Sequence, residues 1–436
     1  MFLTFLPLFI ALGGGYFLFR LRAFFIFHPR KTLALVREHQ KAEGEGIFGR
    51  MSLALAGTLG VGNITGVAAG ILVGGAGSVF WLFLSALCAA PLKYAESVSV
   101  LSLPCDGKRY GFPFFLEKRF RTLGIPLARL YAILTLVLAL AMGSALQSAA
   151  VAEATRSFGS DALTAIFLFS FVIFLCVSIL GSADKICRAT SILIPIAFVL
   201  YTIICIVTIF SNISRVLSVI FAVFQNAFSL QSVAGGTVGG ALLLSVREGF
   251  LRGLLSNEAG AGTSAYAHAK SKNPSPVAEG VLGMGEILFD TVILCMLTAF
   301  SILLSVENVA LYRNGTELLS AAFSSVLCDA YRIPLLLSIF LFALATSVCW
   351  YEYGRCALRF LGRRRTALFF ILYVGAALLG ARLGSMALIP LCDVLLFFLV
   401  AIALPALIKN ATATCALTEQ ALQIGKAARV KTTRGS

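Results

Sequence analysis

The stretch "AGTLGVGNITGVAAGILVGGAG", Ala56 to Gly77, decides the fold. It is long and apolar enough to lie in a bilayer. It also carries Gly57, Gly60, Gly62, Gly66 and Gly70, with Asn63 in the middle. Glycine loosens helices, and a bilayer penalises backbone that is not hydrogen-bonded. Two readings are open. Gly62, Gly66 and Gly70 have the small-xxx-small spacing that lets helices pack closely. The whole cluster with an amide inside it suits instead a helix that unwinds near the membrane midplane. Unwinding frees carbonyls for a small cation and exposes the amides of the following half-helix, whose dipole suits a carboxylate. Asn63 can offer an oxygen to a cation or an amide to a ligand.

Composition sets the class around this stretch. The chain of 436 residues is 59% hydrophobic and 13% charged, against about 25% charged in ordinary soluble domains. Apolar runs of spanning length recur along it, so an all-α polytopic membrane protein in the lipid bilayer is expected. No alternating short strands suggest a transmembrane barrel. The net charge of +15 does not point to nucleic acid, because Lys and Arg sit mainly in loops between apolar runs. The eleven Cys are scattered, with Cys88, Cys176, Cys205, Cys295 and Cys349 inside apolar runs, and no CxxC appears. Neither a zinc site nor a disulfide framework is indicated. Met1 to Tyr16 lacks a basic start and reads as a retained span rather than a signal peptide.

Hydropathy predicts about eleven transmembrane helices, at 2–21, 50–74, 78–103, 126–155, 161–181, 188–211, 238–270, 278–306, 334–361, 366–382 and 386–408. The first is a leading helix; the rest are numbered helices 1 to 10. Basic loops then alternate. Arg20–Arg50 holds seven Lys/Arg and Lys108–Arg121 five. Lys185 with Arg188, Lys270 with Lys272, Arg363–Arg365 and the tail fall on the same side. The positive-inside rule makes that side cytoplasmic, with the N-terminus outside and the C-terminus inside a cell membrane. The expected organisation is a leading helix and basic segment (1–49), five helices (50–211), five more of opposite orientation (212–410) and a basic tail (411–436). Helix 6, with "SNEAGAGTSAYAHA" at Ser256–Ala269, is glycine-interrupted like helix 1. Broken helices at matching positions of two halves point to the binding site of an inverted-repeat transporter.

At this point the residues resemble a known family. "AGTLGVGNITGVAAGILVGGAGSVFW" with "PLKYAES", "REGFLRGLLSNEAGAGTSAYAHAKSKNPSPVAEGV" with "FDT", and "ATSVCWYEYG" are similar to the alanine or glycine:cation symporters. The chain departs from that pattern at Ala76 and at Gly262–Ala265. The resemblance implies a leucine-transporter-like fold: a 5+5 inverted repeat with broken helices 1 and 6. It implies a coupling sodium ion held by the carbonyls of Ala56, Leu59 and Ala343 and the hydroxyls of Thr346 and Ser347. It implies amides around Gly60, Val61 and Gly62 for the carboxylate of a small neutral amino acid, alanine or glycine. Asn63 and Gln147 would face that substrate, as would Ser256, Asn257 and Gly260 of the helix 6 break.

Several intramembrane polar residues carry two readings each. Gln147 either bonds a neighbouring helix or faces substrate. Trp350 is core or pocket wall, and the resemblance favours the wall. Arg252 and Glu258 flank the break and are expected to form a gating or structural ion pair, with each other or with Arg247. Asp290 and Thr291 suit a helix–helix hydrogen bond or the approach of a cation. Lys93 and Glu96, three apart, are expected to pair on one face of helix 2. His28, His39 and His268 read as interfacial. The function expected is sodium-driven import by alternating access, with no organic cofactor. A proton-coupled transporter of the same fold is the alternative; Thr346 and Ser347 do not titrate, which counts against it. A channel would want a continuous polar pore. No HExxH, GxSxG or P-loop supports an enzyme or a nucleotide-driven pump.

Overall fold

Apolar length and glycine placement decide where this chain runs straight and where it breaks. The computed structural model describes residues 2–43, 55–103, 111–120, 122–157, 159, 161–180, 183–229, 240–269, 275–362 and 366–433. Among the described residues the regular structure is all helix. Nine helices among the described residues are long and apolar enough to cross a membrane. They include the leading helix, Leu6–Arg20, and helix 2, Gly77–Leu101. Helix 1 is not among the nine because it is interrupted, and Gly240–Asn257 of helix 6 is not because it carries Arg247, Glu248 and Arg252. Helix 1 breaks after 55–58 and resumes at Thr65–Gly74, with one tight turn at Val61–Asn63 between. Helix 6 runs Gly240–Asn257, unwinds, and resumes for one turn at Ala265–His268.

Two further helices carry local irregularities. Helix 3, Gly124–Arg156, widens into π-helical turns at Ala139–Ala145, and helix 7, Pro276–Ser305, does so at Leu288–Cys295. Such widened turns re-aim side chains and often mark functional sites. Helix 4 is Asp161–Leu180, helix 5 Ala183–Ser211, helix 8 Arg332–Phe360 and helix 9 Thr366–Leu383. Helix 10 begins at Ser385 and continues to Thr433, well past its expected end and through most of the tail. Four shorter helices between spans, Pro29–Glu43, Phe112–Arg119, Val216–Ala227 and Gly315–Leu327, are additions to the expected set among the described residues.

Helices 1, 2, 6 and 7 pack on one another, with the leading helix against helix 2. Helix 8 packs on helices 3 and 5, and helix 9 on helix 3. Close approach relies on glycine. A Cβ on Gly249 of helix 6 would lie 2.5 Å from the Ser78 carbonyl oxygen of helix 2, and one on Gly62 or Gly66 would lie 3.3 Å from Leu255. The glycines of the opening stretch therefore serve both packing against helix 6 and the break itself. The outside is apolar: Ile166, Phe169 and Val177 on helix 4 are all more than 60% exposed. An apolar exterior around a polar centre is what a bilayer solvent selects.

Candidate functional site

The breaks of helices 1 and 6 face each other and bring distant polar residues together. Asn63, on the helix 1 break, is fully buried. Its Nδ2 donates to Ser256 Oγ on helix 6 at 3.0 Å and to the Asp290 carbonyl on helix 7 at 3.2 Å. Thr291 Oγ1 lies 3.2 Å from Ser256 Oγ and accepts from Asn257 Nδ2 at 3.3 Å. The Thr291 hydroxyl also bonds the Asp290 carboxylate. Asn63, Ser256 and Asn257 thus meet in one buried polar cluster across helices 1, 6 and 7.

The exposed amides of the helix 1 break have partners supplied by side chains. Gly60 N donates to Asn63 Oδ1 and Val61 N to Gln147 Oε1, both at 3.3 Å. Gln147 follows the π-helical turns of helix 3 and is anchored through Nε2 to the Met142 carbonyl at 3.0 Å. Gly62 packs on Leu255. Two amides held by neutral acceptors are a ready exchange point for a carboxylate, which accepts charge-assisted bonds of greater strength.

Helix 8 approaches the same break from its other side. Thr346 Oγ1 donates to the Leu59 carbonyl at 3.1 Å, and Trp350 Nε1 to the Gly57 carbonyl at 3.3 Å. Ala56, Leu59, Ala343, Thr346 and Ser347 are all at most 1% exposed. Ser347 Oγ is buried with no hydrogen-bond partner among the described residues, while its carbonyl accepts from Tyr373 at 2.6 Å. A buried hydroxyl without a partner, one residue from Thr346, offers an oxygen of the kind a hard cation takes. Trp350 is fully buried, stacks edge-on to Tyr353 and lies against Gly143 of helix 3.

The helix 6 break is held from helix 2. Glu96 accepts from Gly260 N and Ser264 N at 3.1 Å and from Ser264 Oγ at 2.5 Å. Lys93 Nζ donates to the Asn257 carbonyl at 2.7 Å. Gly260 is therefore turned to Glu96, whereas Ser256 and Asn257 face helix 7. Gly262, at φ +86, has Phe112 and Tyr131 where a Cβ would stand, at 2.5 and 2.6 Å.

Two expected pairings and the expected interfacial place of His268 differ. Lys93 meets Glu286 of helix 7 at 3.6 Å, and Glu96 is engaged by helix 6. Arg252 pairs with Asp393 of helix 10 at 2.5 Å and with Glu248 at 3.5 Å. Glu258 cannot reach Arg252 in this arrangement, because the helix ends at Asn257 and its φ of +54 turns it to Thr263 Oγ1, 2.6 Å away. His268 is buried, its two ring nitrogens 2.8 and 2.9 Å from Glu279 and Glu286. Glu286, Asp393 and Glu279 come from other helices, so spacing within one helix could not reveal them.

A membrane protein whose two broken helices meet in a buried polar cluster, with a helix 8 hydroxyl bonded to a freed carbonyl of one break, belongs to the class of ion-coupled secondary transporters. Residues 1–431 match the sodium:alanine symporter family, and the chain belongs to that family. It is 30% identical over 389 residues to the sodium/alanine symporter AgcS of Methanococcus maripaludis, covering 85% of this chain and 84% of that one. It is 29% identical to the probable sodium/glutamine symporter GlnT of Bacillus subtilis, covering 82% and 74%. It is 28% identical to the putative sodium/proton-dependent alanine carrier YrbD of the same organism, covering 86% and 80%. A Na+-coupled sialic acid symporter, solved substrate-bound and outward-open, shares the fold with a TM-score of 0.56 at 10% identity. That likeness covers 97% of this chain and 95% of the other. The family consists of transporters, not enzymes, and the chain is a multi-pass membrane protein.

Proposed function

We propose that this chain imports a small neutral amino acid, alanine or glycine first, driven by sodium. The observation that carries the reading is the bond of Thr346 Oγ1 to the Leu59 carbonyl at the helix 1 break, with the next residue, Ser347, keeping a buried hydroxyl without a partner among the described residues. Sodium binds there, with Ala56 and Ala343 supplying further carbonyls. The substrate carboxylate takes the amides of Gly60 and Val61 from Asn63 and Gln147, with Gly62 letting it approach. Ser256 and Asn257 face the ammonium and small side chain, and Trp350 walls the pocket.

Alternating access follows from the breaks. The chain lies with its N-terminus outside and its basic loops in the cytoplasm, and 50–211 and 212–410 act as opposed halves. The Arg252–Asp393 pair ties helix 6 to helix 10 and closes the outer path. Ion and substrate each strengthen the other's binding, and this effect is reciprocal. The test is uptake of labelled alanine and glycine by the full chain in proteoliposomes. Accumulation with an inward sodium gradient, and none with potassium, is the expected result. Accumulation that ignores sodium overturns the coupling assignment. No uptake of either amino acid in vesicles that take up another overturns the substrate assignment.

A further inference from the structure

The leading helix ends in an elbow that carries charge. Arg22 and Ala23 have φ of +51 and +44, and two successive non-glycine residues rarely adopt this left-handed conformation. Phe24 holds the bend. It is buried and packs edge-on to Tyr94 of helix 2, with ring centroids 5.3 Å apart. The chain then enters the helix Pro29–Glu43, which opens with Arg30 and Lys31. Four Lys or Arg fall between positions 20 and 31, and the first acid of the chain is Glu38.

Beside the elbow lies a cavity of about 330 Å³. Arg20, Arg22 and His28 line it from the elbow, and Thr418, Glu419 and Leu422 line it from helix 10. Arg20 also donates to Thr412 Oγ1 of helix 10 at 3.2 Å. Arg22 and His28 make no side-chain hydrogen bond or ion pair among the described residues. Two arginines and a histidine thus meet one carboxylate. Apolar side chains stand exposed beside these charges: Phe19 at 83%, Ile26 at 58% and Phe27 at 72%. Basic residues that only fix topology snorkel to the interface and need no cavity beside them. Guanidinium groups around a cavity, with exposed apolar residues next to them at the end of a spanning helix, complement an anionic headgroup and its acyl chains together.

We propose that this cavity binds the phosphate headgroup of one anionic phospholipid, held by Arg20 and Arg22, with the acyl chains against the exposed apolar residues of the elbow. Guanidinium forks suit phosphate oxygens. The position gives the lipid a task. Tyr94 of helix 2 bonds Thr418 at 2.6 Å, and Ser99 bonds Thr414 at 3.2 Å, so this part of helix 10 is tied to helix 2. Lys93 and Glu96 of the same helix 2 hold the helix 6 break. A headgroup between the elbow and helix 10 fastens the leading helix, helix 2 and helix 10 at one end. The inference needs only the bilayer and is independent of which ion and substrate are carried.

The test is lipid retention by the full chain in detergent, read by native mass spectrometry. It is paired with the melting temperature on adding phosphatidylglycerol or phosphatidylcholine of the same acyl chains. Wild type is expected to keep one phosphatidylglycerol per chain and to melt higher in it than in phosphatidylcholine. Arg20→Gln with Arg22→Gln is expected to weaken retention about thirtyfold and to melt alike in both lipids. Arg129→Gln, at an exposed arginine of helix 3 that does not line the cavity, is expected to keep the wild-type preference. Glu419→Gln removes the one carboxylate and is expected to strengthen retention, a gain that misfolding cannot produce. Equal melting of wild type in the two lipids, unchanged retention in the double variant, or weaker retention in Glu419→Gln overturns the proposal. Stabilisation of wild type by glycerol phosphate as strong as that by phosphatidylglycerol makes the cavity a site for a free phosphate and overturns the lipid assignment.

Discussion

Thr346 and Lys93 show how differently two buried polar residues depend on their surroundings. Thr346 was legible only through the family resemblance, which implied an oxygen of helix 8 near the helix 1 break, and its hydroxyl bonds the Leu59 carbonyl. In the ion-site reading, Thr346→Ala removes one neutral ligand without stranding a charge. Half-maximal sodium concentration for uptake is expected to rise about tenfold, equivalent to about 1.4 kcal/mol. The melting temperature in detergent is expected to hardly change. An unchanged sodium requirement would sink the site assignment. Lys93 was legible only as a charge on helix 2, because its partners Glu286 and Asn257 come from helices 7 and 6. Lys93→Met leaves a buried carboxylate exposed to its like-charged neighbours. Breaking a buried pair on one side costs about 3–5 kcal/mol, so this variant is expected to lose most of its thermal stability by fluorescence-detected size exclusion. Lys93→Met melting like wild type would mean that Glu286 is balanced elsewhere.

Breaks were more legible than lengths at the scale of elements. Both interrupted helices were visible as glycine clusters in apolar runs, since glycine supplies conformations and close approach that other residues do not. The helical part of the tail and the intervening Gly315–Leu327 helix were not, because neither is apolar along a spanning length. The latter helix packs on the second half of helix 1, and Thr316 bonds Glu153 of helix 3, which also receives two bonds from Ser385. An Asn314 cap, accepting from Glu317 N at 2.9 Å, starts this helix, and its tertiary partners hold it in place. The helix 6 break itself depends on a positive φ at Gly262 and on Phe112 and Tyr131 filling its Cβ position. Gly262→Ala combines left-handed strain with overpacking, each of order 1–3 kcal/mol. It is expected to lower thermal stability and transport together. Gly375→Ala in helix 9, whose Cβ meets nothing within 4 Å, is the matched control and is expected to leave both unchanged.

Alternating access in the whole molecule requires that some contacts between helix groups be reversible, and the sequence could not say which. The fold class followed from composition and the breaks, but the partner of Arg252 did not. Asp393 lies 141 positions away on helix 10. In the proposed cycle this pair holds the outer path shut over the Asn63–Ser256 cluster. Both residues are at most 3% exposed, so the bond is worth more than a surface pair. Asp393→Asn keeps the shape and removes the charge, while Glu248 remains near the guanidinium. Losing a charge-assisted bond of about 1.5–3 kcal/mol shifts a two-state balance by roughly 10- to 100-fold toward the open form. Cys295, 3.3 Å from Ser256 Oγ and buried, is a native reporter at the site. In a background with the other cysteines replaced, a membrane-impermeant thiol reagent added outside is expected to label Cys295 slowly in the parent and at least about tenfold faster in Asp393→Asn. Saturating alanine with sodium is expected to slow labelling again, because occupancy favours closure. Equal labelling of both proteins would remove Arg252–Asp393 from the gate and leave it as a fixed brace between helices 6 and 10.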